Sequence, residues 1–387
     1  MLKAYKYRLY PKGKSEQQIL RNLGSARWVY NWALQRKIET YRQNGKSISG
    51  FSLMRELTAL KQQEETSWLK EVDAHSLQKA IIHVEAAFTR FFREKNGFPN
   101  FKSRHGRQSF KVDTTVNCKF DENKIKLPKT GWLKCKFSRT FDGEVRHAVV
   151  SRETTGKYFV SILVENGIPI PRKSKPDISQ AVGVDLGLKD FAVLSTGEKI
   201  VHPKCLKKYE IQLKTLQRKL SKKQKGSNRR RKTKTRLAKK HEKVRNVRSD
   251  FLHKLSTQLV RENQTVCMEN LNVSGMLKNH HLSKSIGDSG WSEFRRMLGY
   301  KCEWSGKHYI EIGRFDPSSK MCGKCGHINR GLKLSDRNWT CPNCSAILDR
   351  DINAAENIVW FAFREQNLIT PTDCREVLME GARWGSL

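Results

Sequence analysis

The sequence predicts an α+β multidomain protein: a small β-barrel with an inserted helical bundle, then an α/β domain with an inserted four-cysteine zinc ribbon. Three observations predict it. Short strand signals bracket residues 13–96, whose apolar residues recur at helical spacing. An apolar strand, Ala181-Val182-Gly183-Val184-Asp185-Leu186-Gly187, opens a second series of strands and helices. Two Cys-x-x-Cys pairs interrupt that series near its end. A chain of 387 residues fits two or three domains of about 150 residues each.

Taken in order, Tyr5-Lys6-Tyr7-Arg8-Leu9-Tyr10 alternates as a strand and stops at Pro11. Ser15 with Gln18 has the form of a capping box, and Ile19, Leu23, Val29, Tyr30, Ala33 and Leu34 continue at helical spacing. A second helix is expected over 53–60. A third is expected over 76–95, with Leu77, Ile81, Val84, Phe88 and Phe91 on one face. From residue 97 to about 172 the signals are for strands, at 109–112, 124–127, 145–152 and 158–164. Asp142-Gly143 and Thr155-Gly156 supply turns between them. Closely spaced short strands predict a barrel, to which residues 1–12 add a strand, so the bundle is an insertion.

Residues 168–176 read as a linker. The second domain is expected over 180–317 and 349–364, with strands at 181–187, 191–194, 199–202, 265–271 and 308–313 and a helix over 291–304. Between them, residues 204–263 predict a basic helical hairpin broken at Gly226-Ser227-Asn228. Its first 45 residues hold 20 Lys or Arg against two acids, yet Leu206, Leu213, Leu216 and Leu220 interleave the charges. Those leucines favour a hairpin over a solvated tail. The ribbon spans 318–348, a helix opens at 349–351, and residues 365–387 lack periodicity and are expected to be a mobile tail.

Lys and Arg total 75 against 38 Asp and Glu, a formal net charge of +37. Such a chain repels itself and seeks polyanions. Hydrophobic residues make up 37%, but 17 Phe, 9 Trp and 9 Tyr can build cores, which excludes wholesale disorder. No apolar run approaches the roughly 20 residues of a membrane span. The polar opening is no signal peptide. A cytoplasmic, nucleoid-associated protein without a membrane partner is the expectation. Ten cysteines, four clustered and six scattered, fit a reducing compartment and one metal site. Cys118, Cys135, Cys205, Cys267, Cys302 and Cys374 read as small buried hydrophobes.

Cys322-x-x-Cys325 and Cys341-x-x-Cys344 stand fifteen residues apart. Each pair sets two thiolates on a tight turn, and together they form a closed tetrahedral set suited to structural Zn²⁺. Gly323, Gly326 and Pro342 supply the turn chemistry. A redox pair is the alternative. The second constellation is acidic. Asp185 ends one apolar strand, with Gly187 leaving room beside it, Glu269 ends another, and Asp351 begins a helix. Grouped carboxylates hold two Mg²⁺ or Mn²⁺ ions about 3.5–4 Å apart, an arrangement that cleaves phosphodiesters. Taken singly, each acid is more often a cap or a salt-bridge partner than a metal ligand, and Asp351 at a helix start is a natural N-cap.

The ordered set of motifs resembles the TnpB family of bacterial insertion sequences, which is similar to the ancestors of type V CRISPR nucleases. It runs from Tyr7-Arg8-Leu9-Tyr10-Pro11 through Gly183-Val184-Asp185-Leu186-Gly187-Leu188-Lys189-Asp190-Phe191 and Met268-Glu269-Asn270-Leu271. It continues to Ser318-Ser319-Lys320-Met321-Cys322 and Asp349-Arg350-Asp351-Ile352-Asn353-Ala354-Ala355, covering residues 1–364. The resemblance implies a RuvC-like nuclease domain of RNase H fold with Asp185, Glu269 and Asp351 as its catalytic acids. Asp349 competes for the third place. It implies a guide RNA derived from the transposon end, a double-stranded DNA target cut beside a short flanking motif, and a monomer bound to RNA. Gln78 matches a family position that contacts the flanking motif, although Ala74 stands where relatives often carry a base, so the motif read differs. A solvated helix-surface glutamine is the plainer role for Gln78. Arg27, Lys222, Lys223, Arg229, Arg230 and Arg231 are the other candidate nucleic-acid contacts. The rivals are an RNA-independent transposase, a non-catalytic zinc-ribbon DNA-binding regulator, and an RNA-binding structural protein.

Overall fold

The computed structural model describes residues 1–94, 96–113, 118–333 and 335–366. They form two compact units, 1–168 and from Pro169 onward. The first unit runs β1 (Leu2–Tyr10), α1 (Lys14–Asn44), α2 (Gly50–Leu60), a 3-10 turn (Glu64–Glu71) and α3 (Ala74–Arg93). It continues with β2 (Gln108–Asp113), β3 (Lys119–Asp121), β4 (Lys124–Leu127), β5 (Gly131–Lys136), β6 (Glu144–Arg152) and β7 (Tyr158–Glu165).

The seven strands make one antiparallel sheet in the order β2-β6-β7-β1-β5-β4-β3. β1 lies inside it, between β7 and β5, so the helices are indeed inserted between one strand and the rest. The barrel expected from sequence is a half-barrel: among the described residues β2 and β3 are edges that do not pair with each other. Alternate residues Tyr7, Leu9, Ile125, Leu133, Val150, Val160 and Ile162 bury one face, which α1 covers with Ile19 and Leu23. Farther along, Val29, Ala33 and Leu34 of α1 pack with Leu53, Leu57, Leu77, Ile81 and Val84 into a separate bundle core.

The capping box at Ser15 does not form. α1 starts behind Gly13, the Ser15 hydroxyl turns back to donate to the Lys12 carbonyl (2.8 Å), and Gln18 donates to the Glu71 carbonyl (2.7 Å). Tertiary partners for Gln18 outcompete the local cap. α3 has a true N-cap, Asp73, which accepts from the Ser76 amide at 2.9 Å.

The second unit runs β8 (Ala181–Leu186), β9 (Asp190–Leu194), β10 (Lys199–Val201), α4 (Cys205–Ser221), α5 (Asn228–Glu262) and β11 (Thr265–Glu269). Then come α6 (Val273–Met276), α7 (Ser283–Ser289), α8 (Trp291–Trp304), β12 (His308–Ile312), β13 (Asn338–Thr340), β14 (Ile347–Asp349) and α9 (Arg350–Glu365). Its main sheet has the order β10-β9-β8-β11-β12. The first three strands are antiparallel, and β8, β11 and β12 are parallel. Two parallel neighbours need a crossover, and the basic hairpin α4–α5 is the one that joins β8–β10 to β11.

Both sheet faces are covered, which explains why β8 and β11 are apolar throughout. Val182, Val184, Val266 and Met268 face Leu252, Leu255 and Leu259 of α5 and Trp291, Phe294 and Leu298 of α8. On the other face Cys267 and Ile312 meet Ile358, Phe361 and Ala362 of α9. In the hairpin, Tyr209 and Leu213 of α4 pack on Leu237 and Val244 of α5. Gly183 is the point of closest approach: a Cβ there would stand 1.9 Å from the Ala355 carbonyl oxygen. The predicted tail lies outside the described residues beyond Gln366, and Cys374 with it. Among the described residues no helix is long and apolar enough to cross a membrane.

Gly183→Ala forces α9 off the sheet. Overpacking of this kind destabilises by about 1–3 kcal/mol, so we expect the melting transition of this unit to fall by several degrees. A variant that melts with the parent would contradict the packing described.

Candidate functional site

Asp185 and Glu269 sit at the same end of neighbouring parallel strands, one residue beyond the paired Val184 and Met268. Val184 and Met268 point to the α5–α8 face, so the two acids point to the α9 face. The first turn of α9 brings Asp351 to them. Asp185, Glu269 and Asp351, with Ser319, Arg337 and Arg350, line one cavity of about 210 Å³. Burial pushes the Asp185 carboxyl well above the ordinary carboxylate range, and the negative charges of Glu269 and Asp351 push the same way. Arg350 and Arg337 oppose them. Three carboxylates on one cavity are an all-oxygen donor set, the kind that Mg²⁺ or Mn²⁺ takes.

Two of the three acids have a side-chain donor. The Ser318 hydroxyl donates to Glu269 at 2.5 Å. Arg337 donates to both oxygens of Asp351, at 2.9 and 2.8 Å. Asp349 is held elsewhere. One of its oxygens accepts from the Asp351 and Ile352 amides (2.9 and 3.1 Å), capping α9, and the other accepts from Lys199 at 2.6 Å. The helix N-cap is therefore Asp349, not Asp351 as its position alone allowed. Gly187 lines the same cavity as Asp185, and a Cβ there would stand 2.8 Å from the Asp190 carbonyl oxygen of its own turn.

The four cysteine sulfurs lie within 4.8 Å of one another. Cys322 and Cys344 are 3.7 Å apart, and Cys325 and Cys341 are 3.6 Å apart. A metal with four sulfurs at about 2.3 Å has tetrahedral edges of about 3.8 Å, so the set fits a zinc-sized ion. Gly326, at φ 74°, closes the first turn. The thiols are uneven. Burial pushes Cys322 up to about 12; it also opposes ionisation of Cys325, but hydrogen bonds from the Asn343 side chain and the His327 backbone bring that thiol down to about 6.

The cysteine insert is fastened to α9 by two buried asparagines one turn apart. Asn353 donates to the Met321 carbonyl (2.7 Å) and accepts from the Gly323 amide (2.8 Å). Asn357 donates to the Ser318 and Met321 carbonyls, both at 2.7 Å. Sequence reasoning missed Ser318, Arg337, Asn353 and Asn357 as site residues. Ser318 and Asn353 lie within the motifs quoted above, but what each of the four does depends on partners that the fold brings.

Of the candidate nucleic-acid contacts, Gln78 is exposed on α3 and Arg27 is half-buried, donating to Gln108 at 2.9 Å. Lys222, Arg229 and Arg231 are exposed at the hairpin tip, and Lys223 is half-buried there. Arg230 is turned inward, donating to the Leu220 and Lys223 carbonyls at 2.6 and 2.8 Å, so its guanidinium caps α4.

The family OrfB_IS605, "Probable transposase", matches residues 159–280. A Cas12f1-like TNB domain matches 291–358, and a helix-turn-helix domain of the OrfB_IS605 type matches 1–46. The chain is 39% identical over 360 residues to a Streptomyces pristinaespiralis protein named "Putative RNA-guided DNA endonuclease", covering 92% of this chain and 88% of that one. It is 33% identical to "Putative RNA-guided DNA endonuclease InsQ" of Escherichia coli K12, covering 92% of each. In fold it is similar to Cas12f1 from a complex with guide RNA and target DNA, with a TM-score of 0.56 at 16% identity over 93% of this chain and 98% of that one. It is also similar to the mini-RNA-guided endonuclease CRISPR-Cas_phi3, with a TM-score of 0.54 at 10% identity over 94% and 92%. On this extent of identity the chain belongs to the TnpB family.

Proposed function

We propose that the protein is an RNA-guided, metal-dependent DNA endonuclease of a bacterial transposon, cutting target DNA beside a short flanking motif. The observation that carries the chemistry is the convergence of Asp185, Glu269 and Asp351 from three elements on one cavity. Homologues named as RNA-guided endonucleases support the function. The strand order β10-β9-β8-β11-β12, three antiparallel strands followed by two parallel ones, supports an RNase H-like, RuvC-type domain. On this reading the half-barrel and bundle hold RNA and DNA, and the domain from residue 180 onward cuts.

Asp185, Glu269 and Asp351 are the residues that would hold Mg²⁺ or Mn²⁺. Two such ions, when bound, activate the attacking water and stabilise the leaving oxygen of a phosphodiester. Ser318 orients Glu269, Asp349 caps the helix that presents Asp351, and Lys199 neutralises Asp349. Cys322, Cys325, Cys341 and Cys344 would hold Zn²⁺ in a structural role, since all four positions are protein sulfur. The exposed bases at the hairpin tip bind backbone phosphates. Gln78 faces solvent where a flanking motif can be read, while pairing with the guide supplies the remaining sequence choice. RNA–DNA duplexes are gripped through shape and backbone, which the +37 charge serves.

The experiment that tests the function is guide exchange. RNA bound to the purified protein is sequenced, its guide segment is replaced, and cleavage of supercoiled DNA is mapped. The cut should move to the new match beside an unchanged flanking motif. A cut that stays put, or defined cutting by RNase-treated protein, favours the RNA-independent transposase.

Asp185→Ala, Glu269→Ala and Asp351→Ala should each abolish cleavage while leaving RNA and DNA binding within about twofold. Asp349→Ala removes a helix cap worth about 0.5–2 kcal/mol. It should therefore lower the melting temperature and retain measurable cleavage. If Asp349→Ala is the dead variant and Asp351→Ala the live one, the third acid is misassigned.

The raised pKa of Asp185 has a sign. The unfolded chain ionises this group at ordinary carboxylate pH and the metal-free folded chain resists, so its contribution to stability is present at low pH and lost as the pH rises. Asp185→Asn should therefore melt higher than the parent at neutral pH in EDTA. The gap should vanish below about pH 4, where the unfolded carboxyl is also protonated. Lower melting in EDTA at neutral pH would overturn the electrostatic reading.

A further inference from the structure

We propose that the cleft between α1 and the 3-10 turn of the helical bundle is a stacking pocket for one unpaired nucleobase. This rests on the RNA-guided reading above, but its test reads out contact and not cleavage, so the two can fail separately. α1 presents Arg21, Gly24 and Trp28 at spacings of three and four along one face. The 3-10 turn sets Trp68 opposite, with Glu71 beyond it. With Arg27, these residues line a cavity of about 420 Å³. The indoles of Trp28 and Trp68 meet at 79° with ring centroids 5.6 Å apart, and Trp32 lies parallel to Trp28 at 6.4 Å. Trp68 is anchored by its ring N–H, which donates to the Glu65 carbonyl at 3.1 Å, yet 37% of the residue stays exposed.

Gly24 argues that the space serves a ligand and not the fold. It lies inside a 31-residue helix, where glycine is disfavoured relative to alanine. Apart from its chain neighbours and the backbone of its own helix, no described atom lies within 4 Å of the place its Cβ would occupy, so no packed neighbour requires its absence. What glycine preserves is open floor beneath two aromatic walls. The rim carries two guanidinium groups and one carboxylate: Arg21 pairs with Glu71 at 2.7 Å, and Arg27, without an acid partner among the described residues, donates to Gln108 at 2.9 Å. An aromatic slot edged by guanidinium groups on a +37 chain matches a flat π-system attached to phosphate. Stacking tolerates any base, so the pocket would add grip without adding sequence choice.

The test uses the full chain with single-stranded RNA carrying 5-iodouridine and, separately, DNA carrying 5-iododeoxyuridine. Both are photocrosslinked and mapped by mass spectrometry. Crosslinks are expected on Trp28 or Trp68. RNA alone would identify the guide as the source, DNA alone the target or displaced strand, and either result supports the pocket. Gly24→Leu fills the floor with a good helix former, so crosslinking should fall at least fivefold while the melting temperature holds or rises. Trp68→Ala should weaken short-oligonucleotide binding in high salt by about 5- to 150-fold, the range for losing one stacked base. Trp68→Phe should stay near the parent. Crosslinks that avoid both tryptophans with both probes, or that persist unchanged in Gly24→Leu, would overturn the proposal. So would Trp68→Phe behaving like Trp68→Ala.

Discussion

The contact of α9 with β8 at Gly183 is the constraint on which the second unit and its carboxylate cavity depend. Small residues stand on both sides of it: glycine on the strand, and buried Ala354 and Ala355 on the helix. The helix can therefore lie against the sheet backbone itself. Distances then follow from regular geometry. Asp351 precedes Ala355 by four helical residues, a rise of about 6 Å. Asp185 follows Gly183 by two strand residues, about 6.6 Å. Two acids far apart in the chain thus travel equal distances from one fixed point, and Glu269 joins them from the neighbouring strand. Ile358, Phe361 and Ala362 bury the rest of the helix and hold the contact shut.

That geometry sets charges against one another. Three carboxylates share one cavity, and Asp185 bears the consequence in its raised pKa. Without a cation the repulsion is relieved by neighbours: Arg337 on Asp351, Ser318 on Glu269, and the fields of Arg350 and Arg337 on Asp185. The chain as a whole has the opposite sign, with an excess of 37 positive charges. Spread positive charge suits a polyanionic backbone, and a small negative hollow within it suits metal. Charges of opposite sign thus gather in separate regions of the chain.

Much of this was legible in sequence where chemistry is local. The helix over 291–304 was readable from its periodicity, and the cysteine pairs from their spacing, because both are set by near neighbours. The strands ending in Asp185 and Glu269 were readable as apolar runs, because both sheet faces are covered. What failed depended on distant partners. Ser15 and Gln18 fit a capping box, but Glu71 draws Gln18 away. β3 and β5 are short and rich in lysine and gave no strand signal; they form because β4 and β1 offer edges to pair with. Gly187 was legible as the glycine beside Asp185, but nothing local marked Gly183 as the one a helix presses on. Arg230 looked like a phosphate contact and is a helix cap.

The cysteine insert also belongs to the carboxylate site more closely than its separate chemistry implies. It enters after β12 and returns at α9, and it carries both Ser318 and Arg337. Those two side chains reach Glu269 and Asp351. Asn353 and Asn357 then grip the backbone of Ser318, Met321 and Gly323, on either side of Cys322. Buried amides bonded in this way tolerate little displacement, since each lost partner leaves another buried polar group unpaired, as the Asn357 side-chain oxygen already is. Order in the cysteine knuckle is thereby order in the first turns of α9. A metal held by the four sulfurs would contribute to the catalytic geometry without approaching the substrate, by keeping the donors to two of the three acids where they are. This explains why a module with no open coordination position interrupts a domain whose chemistry needs none of its sulfurs.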